Sequence, residues 1–498
     1  MSGPGGTDAF GSSRATFEEV ISFLGSQEAA GLEHGALEET IETRGREVLR
    51  QLLGDHLRLR AATEERLEGV TDALGTARTS TETGHRRSLV SVFGEVIVER
   101  LAYRRRSEEN LHPADARLNL PAESHSHGLR RLAAIEAARG SFDEARSAIA
   151  RATGQALGKR QVESLAAKSA TDVGAFYETR SGTPCQKGCD LVLSVDGKGI
   201  VMLPEALRDA TKKKAAAAST KLAGRLSKGE KHGRKRMAEL GALYEIVPVP
   251  RTAHDVMASA EEKTKVKGPE AERKWLVASV VDDAASVIAQ VFDEAERRDP
   301  DHEHNWVGLV DGNSHQIDRM ENEAKDRGVD LTILIDLVHV LEYLWKAAWS
   351  FFDEGDPAAE AWVLDRAHAI LAGNACDVAT GIRRRASAEG LAKSARQGAD
   401  ICARYLTGHA KYLDYPSALA SGWPVATGII EGACRHIVKD RMDITGARWS
   451  LAGAEAVLSL RAVRANGDFD EYWRFHLSRE LERMHLSRYA DRVIPMAA

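Results

Sequence analysis

The chain has 498 residues, 43% of them hydrophobic and 29% charged, enough for two to four globular domains and too many for one core. Its 68 Lys and Arg against 74 Asp and Glu leave a net charge of −6, which excludes a protein that coats nucleic acid by bulk charge; a polyanion has to be met by local basic patches. Five scattered cysteines, Cys185, Cys189, Cys376, Cys402 and Cys434, fit a reducing cytoplasm better than a disulfide scaffold.

Residues 1–16 are Gly- and Ser-rich without an apolar stretch, so no secretory signal is expected. The greasiest run, 331–352, is broken by Asp336, His339, Glu342 and Lys346, so no membrane span is expected either. Residues 1–80 read as helical: Phe17, Val20, Ile21 and Leu24 recur at helical spacing, and Val48, Leu49, Leu52, Leu53, Leu57 and Leu59 line a second stripe. The period then shortens, and 81–126 reads as a small strand unit around Gly94 that runs into Tyr103-Arg104-Arg105-Arg106. Residues 127–182 carry three short helical patterns. Ser141 is placed to cap the second, with Asp143 and Glu144 in its first turn. This spacing suits a helix-turn-helix whose Arg146, Arg151, Lys159, Arg160 and Lys168 meet phosphates; a plain helical bundle fits it too.

From 183 to 352 the grammar changes to strand, strand, strand, helix, strand, helix, strand, helix. Strands are predicted at 191–195, 243–249, 275–281, 306–310 and 331–335. That is the element order of a ribonuclease-H-like core, three antiparallel strands followed by two parallel ones. A lysine-rich insertion, 207–240, interrupts it: from Lys212 to Arg236 there are ten basic residues against one acid, Glu230. Lys212, Lys213, Lys214, Arg234, Lys235 and Arg236 are its candidate phosphate contacts. Residues 353–425 read as an all-helical insertion, 426–466 as helices completing the core, and 467–498 as a C-terminal tail. The fold class expected is therefore α+β and multidomain, with N-terminal helical or helix-turn-helix DNA-binding modules.

Three predicted strands end in acids: Asp196, Asp311 and Asp336. A fourth acid, Glu431, lies on the predicted helix 427–442. Ligands of open α/β sheets sit at such carboxyl ends. Converging carboxylates call for hard cations, Mg²⁺ or Mn²⁺, and two such ions support in-line attack on a phosphodiester. His339, one helical turn from Asp336, is placed either to donate to a phosphate or to serve as a structural histidine. Arg435, Lys439 and Arg441 share the helix of Glu431, and Arg448 and Trp449 follow it; Trp449 serves either as a stacking surface for a flipped base or as a core residue. Cys185 and Cys189 have no second pair nearby to complete a zinc site, and Gly197-Lys198-Gly199 lacks the spacing of a phosphate loop.

The string Thr427-Gly428-Ile429-Ile430-Glu431-Gly432-Ala433-Cys434-Arg435-His436, with Lys439-Asp440-Arg441-Met442 and Thr445-Gly446-Ala447-Arg448-Trp449, resembles the glutamate helix of bacterial insertion-sequence DDE transposases of the ISKra-type family, in the Mutator-like group. Residues 335–345 and Ser194-Val195-Asp196-Gly197 are similar to two further motifs of that family. The resemblance implies a catalytic and metal-binding triad of Asp196, Asp311 and Glu431 on a ribonuclease-H-like core. Asp336 is the runner-up for the second position, and Asp336-Leu337-Val338-His339 would be the group's [Cys/Asp]-x-x-His motif. It also implies binding of terminal inverted repeats and target DNA, strand cleavage and transfer with two Mg²⁺ or Mn²⁺ ions, a homodimer or larger assembly, and a cytoplasmic, nucleoid-associated location. A catalytically silent DNA-binding derivative and a metal-dependent nuclease are the alternatives.

Overall fold

The shift in hydrophobic period along the chain separates two structural units. The computed structural model describes residues 8–217, 231, 233–258, 265–444 and 446–496; Met1–Glu178 with Asp468–Ala498 make one unit and Thr179–Gly467 the other. The molecule is a mixed α+β, multidomain protein.

The first unit opens with α1 (Gly11–Leu24) and the long α2 (His34–Ala62). They run antiparallel, because Asp55 near the end of α2 accepts from the Ser13 N–H at 2.9 Å while Arg44, nearer its start, lies 4.0 Å over the Phe23 ring. Strands β1 (Ser80–Ser91) and β2 (Gly94–Arg104) form an antiparallel hairpin. Gly94 is required at its turn: φ is 134°, and a Cβ there would fall 2.7 Å from Arg50 Cδ. The inward residues Leu89, Val96 and Val98 pack with Leu57 of α2 and Leu120. Helices α3 (His127–Arg139), α4 (Phe142–Thr153), α5 (Lys159–Ser169) and α6 (Val173–Thr179) follow. Ser141 does cap α4: its Oγ accepts from Glu144 N–H at 3.1 Å, and Glu144 Oε2 accepts from Ser141 N–H at 2.7 Å.

The second unit is built on β3 (Asp190–Val201), α7 (Asp209–Ala217), β4 (Lys235–Ile246), β5 (Glu272–Ser279), α8 (Ala284–Arg298), β6 (Trp306–Val310), α9 (Ser314–Arg327) and β7 (Leu331–Ile335). The strands form one sheet in the order β5-β4-β3-β6-β7, antiparallel from β5 to β3 and parallel from β3 to β7. β6 is buried along its whole length, which is why it reads as an unbroken apolar run. α8 approaches β4 closely at Gly241, where a Cβ would lie 2.3 Å from Val291 Cγ2. Beyond β7 come α10 (Leu337–Ala348), α11 (Pro357–Leu371), α12 (Ala375–Ala388) and α13 (Gln397–Gly408). The helix α14 then starts as an α-helix over Gly428–Ala433, widens to a π-helix over Cys434–Lys439 and closes at Asp440–Met442; α15 (Leu451–Ala465) ends the unit.

Three features differ from the sequence expectation. Asp196 does not end its strand. β3 continues through Gly197-Lys198-Gly199 to Val201, because β4 pairs with it from Asp190↔Ile246 to Val201↔Lys235. Lys235 and Arg236 are consequently strand residues rather than part of a lysine-rich insertion; Lys221, Arg225, Lys228 and Glu230 of that segment, and Thr445 of the glutamate-helix motif, lie outside the described residues. The third difference is at the C-terminus, where the expected tail forms α16 (Phe469–Met484) and belongs to the first unit. There Arg130 Nη1 meets Glu480 Oε2 at 2.8 Å, and Asp172 accepts from His476 at 2.7 Å and from Arg483 at 3.0 Å. Among the described residues no helix is long and apolar enough to cross a membrane.

Candidate functional site

The parallel strands set three aspartates side by side. Ser194 pairs with Leu309 across β3 and β6, and Val310 pairs with Ile335 across β6 and β7. Carried on by one or two residues, that register brings Asp196, Asp311 and Asp336 to one level on neighbouring strands, which in a sheet are about 4.8 Å apart. Glu431 approaches from α14. Its helix is fastened to the row at Cys434, whose Sγ–H donates to Asp196 Oδ2 at 3.0 Å. Asp196, His339, Glu431 and Cys434 line a cavity of about 540 Å³, with Lys198, Arg435 and Lys439 on its wall.

The four acids are held differently. Asp336 is fully buried and caps α10: one carboxylate oxygen accepts from Val338 N–H at 2.8 Å, and the other faces the Thr427 hydroxyl and His339 Nδ1. Three of its lone pairs are thus engaged by the protein, leaving one on the oxygen that faces Val338. Through Thr427, the residue before α14, Asp336 fixes where the Glu431 helix begins. Asp196 is half-buried and accepts from Gly197 N–H at 2.6 Å as well as from Cys434. Asp311 is half-buried too; its side chain accepts from Asn313 N–H at 2.8 Å, and its carbonyl accepts from Tyr405 O–H at 3.1 Å. Glu431 is exposed, and its carboxylate accepts from no described residue.

His339 joins these acids electrostatically. Its hydrogen bond to Asp336 raises its pKa against the opposing effect of burial, and Asp311 and Glu342 add to the rise, so the imidazolium is favoured. Cys434 is pushed upward by burial and by the charge of Asp196, which keeps it a thiol able to donate. Asp336, His339 and Glu431 offer ligand atoms within 4.8 Å of one another, a group that could hold a metal ion. This tightest group is not the expected Asp196, Asp311 and Glu431, although Asp196 and Glu431 share the cavity wall.

The predicted basic contacts separate into two kinds. Lys212, Lys213 and Lys214 are exposed on α7, Lys235 on β4, Arg435 and Lys439 on α14, and Arg448 beyond it. The others are engaged internally. Arg234 reaches the Ala215 carbonyl at 3.5 Å, and Arg236 donates to the Val280 carbonyl at 2.8 Å. Arg441 is buried with its guanidinium 4.7 Å from the Trp449 ring. Trp449 is 4% exposed and donates to the Met442 carbonyl at 2.9 Å, so its ring takes the core role and is not presented for base stacking.

Sequence reasoning passed over Lys198, Cys434 and Tyr405 as site residues. Lys198 carried a signal, since it lies two residues beyond Asp196 on one strand and therefore on the same face. Tyr405 carried none: its hydroxyl comes to the Asp311 carbonyl from the helical insertion, and a Cβ at Gly312, where φ is +88°, would lie 2.5 Å from that oxygen. The π-helix is a further unpredicted feature. Arg461 of α15 donates to the carbonyls of His436 and Ile437 within it, supplying partners that the wider turn leaves short. No model of a known protein family matches the chain, and no curated protein matches it significantly.

Proposed function

We propose that this chain is a DNA transposase of the DDE type, in keeping with its ISKra-like motifs, and that Asp196, Asp311 and Glu431 are its catalytic carboxylates. The observation that carries the reading is the convergence of separate chain segments on one sheet edge. Asp196 and Asp311 stand level on neighbouring parallel strands, and Glu431 lines the cavity with Asp196 on a helix tied to it through Cys434. The strand order supports it, being that of a ribonuclease-H-like core. The short helices α3, α4 and α5 suit a helix-turn-helix reading of the transposon ends.

The donor set fits a hard divalent cation. None of the three carboxylates is ion-paired by a described residue, and each keeps oxygen lone pairs uncommitted. Two Mg²⁺ or Mn²⁺ ions held by Asp196, Asp311 and Glu431 would supply Lewis acidity for in-line attack on a phosphodiester. The chain's own residues do the rest. Lys198, Arg435 and Lys439 on the cavity wall take DNA phosphates, while Lys212, Lys213, Lys214, Lys235 and Arg448 extend the contact. His339, whose charged form the Asp336 hydrogen bond favours, donates to a phosphate oxygen, and Asp336 itself positions Glu431 through Thr427. Two ends must be joined, so two active sites are needed and a dimer or larger assembly acts.

The test is cleavage and strand transfer on duplexes carrying the inverted repeats that flank the gene, in Mg²⁺ or Mn²⁺. Asp196→Asn or Glu431→Gln should each lower both activities by about 10³-fold or more. Full activity in either variant would sink the assignment. Hydrolysis without transfer would make the protein a nuclease, and metal-independent binding without cleavage a silent DNA-binding derivative.

A further inference from the structure

Helical spacing in α1 and α2 predicts apolar stripes turned toward a core, yet much of both stripes faces solvent. Phe17 is 51% exposed and Ile21 49%, with Leu24 beside them; on α2, Leu49 is 44% exposed and Ile41, Leu52 and Leu59 are similar. Isolated exposed apolar residues are ordinary. These recur at helical steps along one face, interrupted on α2 only by Gly45 and His56, which is a different matter.

The two stripes share one side of the helix pair. The contact between the helices runs along Ser13 and Phe23 on α1 and along Arg44 and Asp55 on α2. Each exposed stripe is rotated in the same sense from its contact row, by a little under a quarter turn. Because the helices are antiparallel, equal rotations carry both stripes to the same side.

The stripe on α2 is also symmetric about its own middle. Ile41 and Leu59 centre on position 50 and Leu49 and Leu52 on 50.5, so the two pairs share a middle to within half a residue, about 0.8 Å of helix. An α2 helix laid antiparallel on an identical one therefore sets Ile41 against Leu59 and Leu49 against Leu52, twice over. Charge agrees with this arrangement. Beside the stripe, Glu38 and Glu42 lie toward the start of α2 and Arg60 toward its end, so antiparallel pairing brings opposite signs together.

We propose that this face is where two copies of the chain associate, α2 of one lying antiparallel on α2 of the other, with α1 of each extending the apolar contact. A self-complementary patch of this kind defines a two-fold, closed dimer and leaves no free copy of itself for a further molecule. The inference stands on the exposed stripe and not on the chemistry proposed for the acidic cavity.

The experiment is sedimentation equilibrium of the full chain without DNA. Wild type should be a dimer at micromolar concentration. Leu49→Glu and Leu52→Lys should each raise the dissociation constant by about 100-fold or more, since each sets two buried charges against apolar partners. An equimolar mixture of these two variants should recover the dimer, because Glu at 49 then faces Lys at 52. Ile41→Glu with Leu59→Lys provides a second complementary pair, should either first variant lose its wild-type circular dichroism. A monomeric wild type, single variants that stay dimeric, or a mixture that fails to recover would each overturn the proposal.

Discussion

In the helical unit Arg130, Asp172, His476 and Glu480 are buried, and each meets an opposite charge or a hydrogen-bond partner, with Arg483 closing the cluster from the surface. In the sheet unit Asp196 and Glu431 share a cavity wall and Asp311 stands level with Asp196 on the next strand, none of the three ion-paired by a described residue. The first arrangement pairs every member with an opposite charge or a hydrogen bond, leaving the Arg130 Nε without a partner, and fastens α16 to the bundle. The second leaves its carboxylates without a cation, on elements that the sheet, the Asp336 cap and the Tyr405 hydroxyl hold in place. A paired cluster is a structural joint, whereas an unpaired one held rigidly is a site kept open for a counter-ion.

This contrast can be broken by experiment, beginning with the largest effect. Glu431→Gln should lower strand cleavage by about 10³-fold or more while leaving the thermal midpoint unchanged, since the exposed carboxylate has no partner among the described residues to lose. A large fall in stability would mean that the acids are structural after all. Asp172→Asn should do the reverse. Burial alone would raise the Asp172 pKa, but hydrogen bonds from His476 and Arg483 hold it far below the usual carboxylate range. Removing that charge should cost the helical unit about 3 kcal/mol in urea denaturation and leave the acidic cavity intact.

A smaller effect is tied to pH. Burial, reinforced by Arg130, lowers the His127 pKa to about 4; its Nε2–H donates to the Asn119 carbonyl at 2.7 Å, and its Nδ1 faces Arg130. Below pH 6.5 the unfolded chain takes up a proton that the folded histidine refuses until about pH 4. The helical unit should therefore lose about 3 kcal/mol between those limits, and His127→Gln should flatten the profile. The smallest expected change is Tyr405→Phe. Loss of its bond to the Asp311 carbonyl should cost about 1 kcal/mol and lower cleavage roughly tenfold by loosening one carboxylate.

Much of this was legible from the chain. Ser141 and its acids announced the start of α4, Gly94 announced a hairpin turn, and the apolar runs at β6 and β7 announced buried parallel strands. What escaped has physical causes. Asp196-Gly197 has the composition of a turn, yet pairing with β4 overrides local propensity and keeps the strand extended. α16 buries Phe469, Tyr472 and Trp473 at its start but His476 and Glu480 beyond them, so its apolar period breaks off halfway along the inner face. Trp449 and Arg441 carry the chemistry of a nucleic-acid grip but spend it on each other. The common level of the three aspartates depends on strand register, a non-local property that no window of sequence contains.

The helical excursion after β7 leaves and re-enters the sheet unit at almost one point, since Leu337 N–H donates to the Val425 carbonyl at 2.9 Å. Topologically it is an appendix whose removal would need only a short bridge, and sites with such adjacent ends tolerate wholesale exchange of what lies between them. Mechanically it is not dispensable, because Tyr405 and Tyr415 reach from it to the carbonyls of Asp311 and Ile335. A shortened chain should thus fold and yet cut poorly, unless its replacement brings two hydroxyls back to those oxygens and an imidazole to the place of His339.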